Sequence, residues 1–102
     1  MNNIKELAKQ ILESIDKMTE LLYQEKVTEG YALLNGVIGQ MDQLIKQIVT
    51  YQNEKNERIV DETKLLGSVE EAFKAMEAKD IVLLADIFNY DIKEQLEQVV
   101  NQ

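Results

Sequence analysis

The chain has 102 residues, nineteen acids against eleven bases for a net charge of −8, and no histidine, cysteine, proline or tryptophan. Without histidine and cysteine there is no histidine phosphotransfer, no Cys-based zinc site, no disulfide and no Glu-x-x-His carboxylate metal site. The acidity argues against a nucleic-acid backbone or an anionic membrane as partner, because both need clustered Lys and Arg.

The opening Met1-Asn2-Asn3-Ile4-Lys5-Glu6 has no basic run ahead of an apolar stretch, so no secretory signal is expected. The longest apolar run, Ile81 to Ala85, falls far short of the roughly 20 residues of a membrane span. A soluble, cytoplasmic, single domain over residues 1–102 is the expectation.

The first segment, about Asn3 to Gln24, places Ile4, Leu7, Ala8, Ile11, Ile15, Met18 and Leu22 on one helical face. Asn2 or Asn3 is its candidate cap. A turn is expected within residues 25–30, with Thr28 capping the next helix and Gly30 in its first turn. The second segment, about Glu29 to Gln52, has a predicted buried face of Tyr31, Leu34, Ile38, Met41, Ile45 and Ile48, flanked by Leu33, Val37 and Leu44. Residues 53–58 contain no apolar side chain and read as a loop inside one bundle. The third segment, about Ile59 to Ala78, carries a stripe of Leu66, Val69, Phe73 and Met76, with Leu65 and Ala72 alongside. Ala78-Lys79-Asp80 reads as a tight turn with Asp80 as N-cap. Ile81, Leu84, Phe88, Ile92 and Val99 then form the core line of a fourth helix, with Ala85 and Leu96 on its flank. Helices joined by short connections pack antiparallel, so the predicted fold is all-α, an up-down-up-down four-helix bundle.

Two faces stand out as contact candidates. Between Gly30 and Asn53 only Asp42 and Lys46 are charged, and Gly36, Gln40, Gln43 and Gln47 align opposite the predicted core stripe. Gly36 and Gly39 each cost a helix roughly 1 kcal/mol relative to alanine, a cost that close approach of a second helix would offset. In the fourth segment Leu83, Ile87 and Tyr90 form a second apolar stripe bordered by Asp86, Asp91, Glu94 and Glu97. Such a strip with an acidic rim suits a helix-on-helix contact, best with a basic amphipathic partner. The alternative for both faces is burial within the chain's own bundle. The acidic pairs Asp61-Glu62 and Glu70-Glu71 have no nucleophile, basic clamp or phosphate loop beside them and read as solvated helix face.

The uncharged amphipathic stretch Leu33-Leu34-Asn35-Gly36-Val37-Ile38-Gly39-Gln40-Met41-Asp42-Gln43-Leu44-Ile45 and the junction Ala75-Met76-Glu77-Ala78-Lys79-Asp80-Ile81-Val82-Leu83-Leu84-Ala85-Asp86 resemble small bacterial flagellar and secretion export chaperones. Flagellin chaperones carry an early Leu-Tyr-Asp-Gly, where this chain has Leu22-Tyr23-Gln24-Glu25. The pattern is equally compatible with an uncharacterised bacterial helical-bundle family. The resemblance implies a cytoplasmic bundle holding a helical segment of an exported protein on an apolar groove. The expected function is therefore non-enzymatic protein binding, without cofactor or metal, through Leu83, Ile87 and Tyr90 together with Gly36, Gln40 and Gln47. The alternative is a structural homodimer through the second helix.

Overall fold

Helical periodicity without a single proline lets each segment run long, and a computed structural model describing residues 1–102 has four helices and no strand. These are α1 (Asn2–Tyr23), α2 (Val27–Lys55), α3 (Glu62–Glu77) and α4. The last begins as Ile81–Asp86, passes through a π-helical Ile87–Ile92 and continues as Lys93–Val100. Backbone angles stay right-handed helical across both junctions, so α4 is one rod with a widened middle. The fold is an all-α four-helix bundle measuring 42 × 22 × 19 Å.

Two hairpins of the same design build it. At the end of α1, the Lys26 N–H donates to the Leu21 carbonyl (2.9 Å) and the Glu25 N–H to that of Leu22 (3.0 Å). At the end of α3, Asp80 donates to Ala75 (2.9 Å) and Lys79 to Met76 (3.0 Å). Both are Schellman turns, and their left-handed positions fall to Glu25 (φ 63°) and Lys79 (φ 58°) instead of the usual glycine. The first turn is tighter than the sequence pattern indicates: α2 starts at Val27 after Lys26, and neither Thr28 nor Asn2 or Asn3 serves as a cap. Asp80 does cap α4, accepting from the Leu83 N–H at 3.1 Å, and Asp61 caps α3 through Lys64 at 3.1 Å.

Gly30 is required where the first hairpin closes. A Cβ there would sit 2.6 Å from Leu22 Cδ2, and Leu22 is itself buried. By contrast, Cβ atoms at Gly36 and Gly67 would meet nothing within 4 Å. Gly36→Ala and Gly67→Ala are each expected to raise the unfolding free energy by up to about 1 kcal/mol, whereas Gly30→Ala lowers it. Urea titration followed by circular dichroism reads both signs.

α1 is the central strut. Ile4, Ala8, Ile11, Ile15, Met18 and Leu22 bury against α2 on one side and α4 on the other. Lys93 on α4 pairs with Asp16 on α1 at 2.9 Å. α3 packs on α4 through Leu65, Ala72 and Ala75, a narrow line of mostly small side chains. α2 and α3 are neighbours in the chain and face each other across the bundle, yet they hardly touch.

Candidate functional site

The opening between α2 and α3 is set by the face that each helix buries. On α2 the innermost residues are Leu34, Val37, Met41, Leu44 and Ile48. Ile38 and Ile45, expected in the core, are only half-buried, while Val37 and Leu44, expected on its flank, are fully enclosed. At about 100° per residue, Ile38 and Ile45 lie a quarter-turn from the core line, on the side facing α3. The correction is larger on α3. Its large residues Leu66, Val69, Phe73 and Met76, expected in the core, line the opening instead; Leu66 is 50 % exposed and Phe73 36 %.

The result is an apolar groove of about 470 Å³. One wall is α2, with Leu34, Ile38, Met41 and Ile45; the other is the α3 stripe; Leu84 and Phe88 of α4 form the floor. Asp42 is the one charged side chain in its lining. The walls are tied at the loop end by Gln52, whose amide donates to Glu62 and whose carbonyl accepts from the N–H groups of Ile59 (2.6 Å) and Val60 (3.2 Å). Ile59 and Val60 in the same loop are buried.

The residues expected to meet a partner are scattered. Leu83 (47 % exposed) and Tyr90 (64 %) are open, but Ile87 between them is 5 % exposed and belongs to the core. The three do not form one strip. α4 is packed against α1 on one side and α3 on another, and Ile87, in α-helical register with Leu83 through its N–H to the Leu83 carbonyl, lies beside Ala75 on the side that α3 covers. Ile87 and Phe88, adjacent in sequence, are both held inside. Gly36 is exposed and Gln40 and Gln47 are half-buried, on the flank of α2 turned away from the groove. No backbone approaches Gly36 or Gly39 within the chain. Gln47 borders a shallow cleft with Met1, Asn3 and Tyr51 at the start of α1.

No group of three or more acidic side chains is placed to hold a metal ion. Besides the Lys93–Asp16 pair, a second polar contact joins α1 to α4: the Tyr23 hydroxyl donates to Asp86 at 2.5 Å. Partial burial, then the Asp86 hydrogen bond and charge, push the Tyr23 hydroxyl up to about 12 from its ordinary 10.0. The folded state therefore keeps this proton where the unfolded chain has lost it. Stability from this contact is complete below pH 10 and declines as pH rises towards 12. Tyr23→Phe is expected to flatten that alkaline decline in a denaturation series.

No helix is long and apolar enough to cross a membrane. The family described as Domain of unknown function (DUF8042) matches residues 1–102, and the chain belongs to it. No curated protein and no solved structure matches the chain.

Proposed function

We propose that this member of the family is a non-enzymatic protein-binding bundle that holds an amphipathic helix of a partner in the groove between α2 and α3. The observation that carries the reading is the placement of Leu66 and Phe73. Two large apolar side chains are left half open on a helix that buries only Leu65 and two alanines. Fully burying a Leu or Phe contributes about 1.5–3 kcal/mol, so a partner that covers this stripe gains what the fold itself leaves unused. The walls are helices and no strand edge exists to extend, so helix-in-groove is the mode that fits. An export-chaperone-like adaptor in the cytoplasm is one form of this role.

Site-specific photocrosslinking tests it. A benzophenone side chain at position 66 or 73 is expected to capture one discrete protein in the source cells, while the same group at Glu13 on α1 captures none. Equal capture at all three positions, or none at the groove, would remove the groove as the docking site. Capture of a second copy of the chain would shift the function to self-association.

A further inference from the structure

We propose that the partner helix is basic along its flanks and about three turns long, an inference that rests on the groove being a docking site. The length comes from the walls. Leu34 to Ile45 on α2 spans roughly 17 Å and Leu66 to Met76 on α3 roughly 15 Å at 1.5 Å per residue, so about eleven residues of a helix fit. Apolar side chains at i, i+3 or i+4, and i+7 of the occupant would point at the Leu84 and Phe88 floor.

The charge comes from how α3 distributes its ions. Lys64 borders a small cleft on the opposite flank, and Lys74, about one turn from both Glu70 and Glu77, borders the cleft against α4 and pairs with neither. Glu70 and Glu77 are exposed and fall, at about 100° per residue, just beyond Leu66 and Phe73 on the groove side. Across from them Asp42 lines the groove itself, and its neighbour Lys46 is held in an ion pair with it at 2.9 Å. The rim is therefore apolar below and acidic above, with two carboxylates that have no cation. A second copy seated groove to groove would bring the acidic rims of both chains into one contact, because a two-fold contact joins a patch to its own copy. A fatty-acid head group would meet Asp42 where it needs a cation. A helix with lysine or arginine beside its apolar stripe meets both requirements.

Two synthetic peptides of about fourteen residues test this. Both carry the same leucine stripe, and one has lysines and the other glutamates at the remaining positions. Fluorescence anisotropy with the full chain at low salt is expected to show the lysine peptide binding at least about tenfold more tightly, with the gap narrowing as salt rises. Glu70→Lys with Glu77→Lys is expected to reverse the preference. The same reversals at Glu6 and Glu13 on α1 leave it unchanged. Leu66→Ser, and Phe73→Ser beside it, weaken both peptides while helicity is retained. Equal binding of the two peptides overturns the charge inference and leaves the docking site standing. A preference set equally by Glu6 and Glu13 also overturns it, since attraction is then to net charge. Binding of neither peptide overturns the docking site itself. Concentration-dependent self-association that blocks both peptides makes a second copy the occupant.

Discussion

Phe88→Ala is expected to lower the unfolding free energy by about 3–5 kcal/mol, the range for a buried phenylalanine truncated to alanine. Phe88 is 2 % exposed, lies in the π segment of α4 and forms the floor of the groove. Against a total of about 5–15 kcal/mol for a domain of this size, that loss leaves a marginal protein. Phe73→Ala removes the same side chain from the same groove, but from a wall that is 36 % exposed. About 1–2 kcal/mol is expected there, because part of the ring is already in water and alanine is the better helix former. Urea midpoints read by circular dichroism give both values. Equal losses would mean that α3 closes on α2 in solution and no groove exists.

Ile87→Asp is expected to unfold the protein at neutral pH, with a loss of at least about 4 kcal/mol. The substitution deletes a buried side chain and puts a carboxylate in its place, beside Glu71 and Asp80 and with Lys74 the one nearby cation. The new acid would be held above its ordinary pKa, so the folded state would bind a proton that the unfolded chain has released. Residual stability is then expected to rise as pH falls, a direction that checks the cause. Leu83→Asp, four residues earlier and 47 % exposed, is expected to change stability by less than about 1 kcal/mol. It sits in the first turn of α4, where a negative charge is favourable. A large loss at Leu83 together with none at Ile87 would invert the placement of the two residues.

Much of the bundle is legible in the residues. Helical spacing places the α1 face, the Ala78–Asp80 turn, the Asp80 cap and the α4 core line where the structure has them. The groove between α2 and α3 is not legible in the same way. Periodicity says that Leu66, Val69, Phe73 and Met76 share a face; it does not say that this face meets the core. α3 carries two apolar lines, one large and one small, and the large one is the natural choice for burial. Packing decides otherwise, because Ala72 and Ala75 let α3 lie against α4. A small-residue line beside a large one is the available signal. The burial of Ile87 is hidden for another reason: an α-helical count assigns it to one stripe with Leu83 and Tyr90, and periodicity does not say that α3 covers the middle of that stripe and leaves its ends open.

That division of α3 into two lines bears on how the chain can change over generations. Most substitutions in a small domain are filtered by the stability threshold before any effect on binding counts. Leu65, Ala72 and Ala75 are fully under that filter; Leu66 and Phe73, half open to water, are under it less. With a client helix in the groove, as proposed, a lineage can exchange one client for another by altering the large line and its acidic border, while the scaffold that presents them stays the same.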